Sequence, residues 1–351
     1  MKPPLLERYQ ALVELPAHTR QVSLGEGDTP LIPTPRVAEH LGGGFELYVK
    51  YEGLNPTGSF KDRGMTAAVG EAAGRGMRAV ICASTGNTAA SAAAYAARAG
   101  LAAYVLIPQG QVAAGKLAGA RAYGARVLQI EGSFDDALAL VLEICQRQPL
   151  ALVNSLNPFR LQGQKTAAFE IVEQLGAAPD WLCLPVGNAG NITAYWQGFQ
   201  QYHQLHQSGV PALLGVQAAG AAPLVHGTVI AQPETVATAI RIGNPARGPQ
   251  ALAAAKESGG RIVAAADEHI LAMQRRLAAE GVWVEPASAA GLAGLAAEVA
   301  AGRLDLRGRR VVAVCTGHGL KDAESISRAT PEPQRIPAAL GALEEALGNL
   351  A

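Results

Sequence analysis

Short apolar runs rich in branched residues alternate along most of the chain with longer alanine-rich stretches whose apolar positions recur every three to four residues. The alternation begins near residue 47 and predicts strand–helix–strand units around parallel sheets. Nine runs read as strands: ELYVKY (46–51), AVICAS (79–84), AAYVLIP (102–108), ARVLQI (125–130), LALVN (150–154), WLCLPVG (181–187), ALLGVQ (212–217), RIVAAAD (261–267) and RRVVAVCT (309–316). Helices of suitable period fit between them, over 87–98 and 158–175 for example. Nine strands are many for one open sheet, and the turn-rich NSLNPF at 154–159 reads as a crossing between two. The expected fold class is therefore α/β, with two open, twisted, mostly parallel sheets flanked by helices. A smaller mobile unit would span 53–153 and a larger one 1–52 plus 154–351. The tail from Thr330 reads as a proline-rich linker followed by one amphipathic helix, packed on the outside or in a subunit contact.

Composition narrows the possible partners. With 49% hydrophobic and 17% charged residues among 351, the chain has ample material for a core. Lysine plus arginine (29) equal aspartate plus glutamate (29), so no general basic field exists to hold nucleic acid or an anionic membrane, and any anion is bound locally. The start has no apolar signal core, and the alanine-rich run 88–107 is broken by Arg98, so a soluble cytoplasmic protein is expected. Cys82, Cys145, Cys183 and Cys315 lack metal or redox spacing, and three sit in apolar runs, as small core residues do. His203 and His206 share a helix face without a third ligand, so no metal site is expected.

Ligands of open parallel sheets sit where strands end, which directs attention to the loops there. Ser84, Thr85, Gly86, Asn87 and Thr88 run from a strand straight into a helix, either as a cradle for a carboxylate or as an ordinary cap made by Asn87 or Thr85. Gly187, Asn188, Ala189, Gly190 and Asn191 allow several backbone N–H groups to converge on a phosphate; the spacing is not that of a dinucleotide loop. Thr316 ends the last strand and can send a hydroxyl into the same crevice, with His318 between two glycines beyond it. In LNPTGSFKDRGM (54–65), Lys61 opens a helix, where a cation opposes the dipole. Either it points into solvent beside a Ser59–Asp62 capping box, or something uses it. Arg160 raises the same question behind Asn157 and Pro158, which read as the cap and first residue of another helix near Asn154 and Ser155. GQVAAGKL (110–117) imitates a nucleotide-binding loop but has Leu117 where magnesium needs a hydroxyl.

Taken in order, these motifs resemble the fold-type II pyridoxal-phosphate enzymes, the tryptophan synthase β family. NPTGSFKDRG, STGNTAAS, VNSLNPFRLQGQKT, PVGNAGN and CTGHGLKD are similar to the threonine synthases of the shorter bacterial class, over nearly the whole chain. The resemblance implies pyridoxal 5'-phosphate in the cleft between two units. Lys61 would be the catalytic lysine that carries it, Asn87 would meet the ring 3-hydroxyl, Gly187 to Asn191 would hold its phosphate, and Thr316 would face the pyridine nitrogen. A lysine near positive dipole and out of water has a depressed pKa, as a nucleophilic amine requires. The implied substrate is O-phospho-L-homoserine, converted with water to L-threonine and phosphate. Its carboxylate would bind Ser84, Thr85, Asn87 and Thr88, its phosphate Arg160 with Asn154, Ser155 and Thr88, and Asn188 would be a further substrate-binding residue. A homodimer is a further family expectation. A threonine or serine dehydratase is the alternative within the family, although those enzymes usually have a more glycine-rich phosphate loop and a serine in place of Thr316; a non-catalytic cofactor-binding protein is the alternative outside it.

Overall fold

The computed structural model describes residues 3–84, 86–109, 114–132, 134–323 and 332–348. Ten strands form two sheets: β1 (Leu31–Pro33), β2 (Glu46–Tyr51), β3 (Ala79–Ala83), β4 (Ala102–Pro108), β5 (Arg126–Ile130), β6 (Leu150–Leu152), β7 (Trp181–Pro185), β8 (Ala212–Ala218), β9 (Arg261–Ala265) and β10 (Arg310–Cys315). The larger sheet runs β1-β2-β10-β7-β8-β9 and the smaller β5-β4-β3-β6. All pairs are parallel except β1 with β2, where Leu31 faces Lys50 in antiparallel register. Central strands covered on both faces need unbroken apolar runs. β3, AVICA, is buried at every position.

Helix packing is set by small residues. The Pro286–Ala300 helix lies so close to the larger sheet that a Cβ on Gly291 would come 3.1 Å from Leu184 N, and one on Gly294 2.5 Å from Val216 Cγ2. On the smaller sheet, Met65, Ala68, Val69 and Ala72 of the Lys61–Gly74 helix share a core with Val80, Cys82, Ala89, Ala93 and Tyr95. That helix therefore belongs by packing to the smaller sheet, while its first turn reaches the end of β10.

Two details differ from the sequence reading. β1 was not expected, because three residues on an antiparallel edge carry no period. The helix expected over 158–175 is two, Phe159–Gln164 and Thr166–Leu175, which meet at Lys165. Cys82, Cys183 and Cys315 are buried and unpaired, as is the half-buried Cys145. Among the described residues no cluster of metal-ligating side chains occurs, and no helix is long and apolar enough to cross a membrane. The nucleotide-loop imitation begins at 110–113, outside the described residues.

Candidate active site

The turn before Lys61 is built by Asp62. Its buried carboxylate accepts hydrogen bonds from Thr57 N–H (2.7 Å), Thr57 Oγ1 (2.6 Å) and Ser91 Oγ (2.5 Å), while the backbone turns through Gly58 at φ +84°. The capping box does not form: Ser59 Oγ is buried without a partner among the described residues. Phe60 N–H donates to Thr316 O at 3.0 Å and His318 N–H to Gly58 O at 2.9 Å, which fixes the lysine turn to the end of β10. The Lys61 amine lies 3.7 Å from the centroid of the Phe60 ring. Burial, reinforced by the Arg160 charge and opposed by Glu285, lowers its pKa to about 7.

Glu285 precedes the Pro286–Ala300 helix and was not singled out in the sequence, where Glu-Pro reads as an ordinary helix start. Its carboxylate accepts both contacts of Asn87 Nδ2, at 3.0 and 3.1 Å, so Asn87 is a ligand of Glu285 and the N-cap of its own helix is Gly86. Burial raises the Glu285 pKa, against the Asn87 hydrogen bond and the nearby Lys61. Gly317 leaves room for it, since a Cβ there would lie 2.3 Å from Glu285 Oε1 and the carboxylate would have to shift. Thr316 Oγ1 is 3.0 Å from Ser288 Oγ, which also accepts Gly317 N–H at 2.8 Å. His318 is a satisfied loop residue: Nδ1 accepts Leu320 N–H at 3.1 Å, and the ring stacks on Tyr51 with centroids 5.9 Å apart.

Beyond β7, Ala189 adopts φ +64°, a left-handed conformation costly for a residue with a Cβ, immediately before the Gly190–His206 helix. The 187–191 loop thus presents its backbone at a helix amino terminus. Asn191 Nδ2 is buried with no partner among the described residues. Gly187 packs under Ile240, whose Cα would be 3.1 Å from an added Cβ.

Arg160 lies in the Phe159–Gln164 helix, whose start is shaped by Asn157: Oδ1 accepts Phe159 N–H at 2.9 Å and Nδ2 donates to Leu152 O at 2.8 Å. The Arg160 side chain is 3% exposed; Nη1 donates to Val153 O at 3.2 Å, and Nε has no partner among the described residues. It is not the solvated surface arginine that its sequence position also allowed. Burial, with Arg247 nearby, lowers its pKa to about 10. Its helix crosses the Lys61–Gly74 helix at backbone contact: a Cβ on Gly163 would fall 1.7 Å from Arg63 O, and one on Gly64 3.1 Å from Arg160 O. Lys61 and Arg160 are held together by that crossing. Asn154 is committed to Ala83, accepting its N–H at 3.0 Å and donating to its carbonyl at 2.8 Å, so it shapes the start of the Ser84 loop. Ser84 on that loop and Thr88 in the first turn of the Asn87–Ala99 helix are part-exposed, and Thr85 lies outside the described residues. The Ser155 carbonyl accepts Arg247 Nε at 3.2 Å, while Asn188 Oδ1 accepts Ala246 N–H at 3.5 Å.

A buried ionic cluster supports this arrangement. Arg63 donates Nε to Glu52 at 2.7 Å and Nη2 to Glu170 at 2.6 Å, and Lys50 Nζ reaches Glu170 at 2.9 Å. The two cations hold the Glu170 carboxyl well below its ordinary pKa. Two residues after Lys61, the helix is thereby tied to the turn at Glu52 just beyond β2 and to the Thr166–Leu175 helix.

The chain belongs to the pyridoxal-phosphate dependent enzymes, whose family description matches residues 22–317. A threonine synthase of Synechocystis sp. is 56% identical over 325 residues, covering 91% of this chain and 84% of that protein. One from Mycobacterium leprae is 55% identical over 330 residues, covering 93% and 91%. Maize serine racemase shares the fold, with a TM-score of 0.73 at 19% identity over 93% of this chain and 94% of its own.

The residues present fit pyridoxal phosphate on structural grounds. An amine lowered to about 7 suits attachment to an aldehyde at neutral pH. The strained helix start at 189, with a partnerless buried Asn191 amide behind it, suits a phosphate.

Proposed function

We propose that this enzyme converts O-phospho-L-homoserine and water into L-threonine and phosphate, the activity its relatives are named for. The observation that carries this reading is a second anion-seeking group besides the glycine loop: Arg160, buried, with an unused Nε and no carboxylate partner among the described residues. A cofactor phosphate would fill one such place. A substrate phosphate accounts for the other, and the substrates of dehydratases have none.

In this reading Lys61 holds the cofactor, Asn87 meets its 3-hydroxyl, Gly187, Asn188, Ala189, Gly190 and Asn191 take its phosphate, and Thr316 offers a neutral hydroxyl to its pyridine nitrogen. Pyridoxal phosphate, when bound, supplies the electron sink that acidifies the protons on the α and β carbons of an amino acid attached to it. Lys61, as a neutral amine, takes the proton from the α carbon and, neutral again after handing that proton on, takes the next from the β carbon. Ser84, Thr85, Asn87 and Thr88 receive the substrate carboxylate and fix the angle at which those bonds break. Arg160, with Ser155, Asn188 and Thr88, balances the charge that grows on the departing γ-phosphate. Asn154 acts through the loop that it clasps at Ala83. Two protons then return to carbon through Lys61, one to the γ carbon that the phosphate left and one to the α carbon, as the hydroxyl of water adds at the β carbon and the remaining water proton goes to the phosphate. Glu285 keeps Asn87 oriented and lends negative charge near the amine.

The smaller unit, residues 53–153, moves toward the larger when substrate binds, since the carboxylate loop and the phosphate loop belong to different sheets. The Leu340–Leu347 helix, with Leu340 73% and Leu347 55% exposed, supports a homodimer contact.

The test is Arg160→Ala assayed on two substrates. Losing the arginine opposite a desolvated phosphate costs roughly 2 to 5 kcal/mol, so kcat/KM for O-phospho-L-homoserine is expected to fall by tens to thousands-fold. Slow dehydration of threonine, which has no phosphate, is expected to change less than about tenfold. Equal losses on both would make Arg160 structural and remove the basis of the proposal.

A further inference from the structure

Arg247, in the loop after Thr238–Ile240, joins two parts of the site that come from different sheets. Its N–H donates to Asn188 O at 3.3 Å, and the adjacent Ala246 N–H reaches Asn188 Oδ1 at 3.5 Å, which fastens this backbone to the loop after β7. The guanidinium extends the other way, to the segment after β6: Nε donates to Ser155 O and Nη2 to Leu156 O, each at 3.2 Å. Arg160 Nη1 donates to Val153 O in the same segment. Three carbonyls of residues 153–156 therefore face two guanidiniums, and neither guanidinium pairs with a carboxylate among the described residues.

Two like charges around one short turn repel, and the Arg160 proton is held less tightly for it. Carbonyl dipoles offset only part of that repulsion. A staple between loops has no need of charge, because neutral amide donors would serve the same carbonyls. A second cation is accounted for by an anion carrying two charges: one guanidinium matches a monoanion, and a phosphate monoester dianion calls for two.

We propose that Arg247 is a positioning and specificity-determining residue, which sets the Ser155 turn against Asn188 and supplies the second positive charge that selects a dianionic phosphate tail on the substrate. This rests on the phosphate-bearing substrate proposed above.

The test uses the cofactor-loaded enzyme with inorganic phosphate as a competitive inhibitor and methanesulfonate as a monoanionic control. Arg247→Gln is expected to raise the KM for O-phospho-L-homoserine and the inhibition constant of phosphate in parallel, about ten- to a hundred-fold, with kcat within about threefold of wild type. Methanesulfonate inhibition is expected to change less than about threefold, because it lacks the second charge. Arg247→Lys, which keeps the charge and loses the fork, is expected to hold the phosphate constant within about fivefold of wild type, and a Lys variant as weak as the Gln variant contradicts charge selection. If Arg247→Gln instead lowers kcat and thermal stability while the phosphate constant stays put, Arg247 is a structural staple and the inference is wrong. Absence of phosphate competition in the wild type would instead refute the underlying reading of the substrate.

Discussion

Lys61 stands where a charged lysine is least welcome: at a helix amino terminus, partly out of water, beside a buried arginine. Burial and the Arg160 charge favour the free amine and outweigh Glu285, which opposes them. With the pKa lowered from 10.5 to about 7, the side chain is protonated below pH 7 and neutral above it. The rate at which the cofactor-free enzyme takes up pyridoxal phosphate is therefore expected to rise through pH 7 and level off above pH 8. A rate still climbing towards pH 10 would contradict the depressed amine. The lysine, the Asn87 loop, the 187–191 loop and Thr316 were legible in the sequence because each lies where an apolar run gives way to glycine and hydroxyl residues. Glu285, Ser288 and Arg247 were not. Glu285 precedes a proline as many helix-start residues do, and its contact with Asn87 spans 198 positions of chain, which leaves no local pattern. The Lys50–Glu52–Arg63–Glu170 cluster was missed for the same reason, with Glu170 and Arg63 separated by 107 positions.

Between elements, the distance from Lys61 to Arg160 is set by two glycines. Gly64 and Gly163 let the Lys61–Gly74 and Phe159–Gln164 helices touch through backbone, and no flexible side chain at Gly163 could yield: an added Cβ would sit 1.7 Å from Arg63 O. Gly163→Ala is expected to force the helices apart, costing about 3 kcal/mol or more in urea unfolding and lowering kcat/KM beyond what stability explains. A stable and fully active Gly163→Ala would show that the crossing does not set the site. The alternating pattern of the sequence placed these elements but could not place their crossing. The division of the 158–175 helix at Lys165, and the three-residue β1, follow from tertiary contacts rather than from periodicity.

For the whole molecule, the two sheets supply different parts of the proposed site: the Asn87 and Asn154 loops extend from the smaller, and the 187–191 loop and Thr316 from the larger. If residues 53–153 close on the larger unit, a non-reacting phosphonate analogue of the substrate should slow hydrogen exchange in residues 84–90 and 153–160 and contract the molecule in small-angle scattering. Identical profiles with and without the analogue would mean a rigid cleft. In the proposed reaction phosphate leaves one carbon and water enters at the next, and turnover of O-phospho-L-homoserine in oxygen-18 water follows both bonds. L-Threonine is expected to carry one solvent oxygen in its hydroxyl, with inorganic phosphate released in equal amount and without label, because elimination breaks the carbon–oxygen bond. Labelled phosphate with unlabelled homoserine, or 2-oxobutyrate in place of threonine, would contradict it.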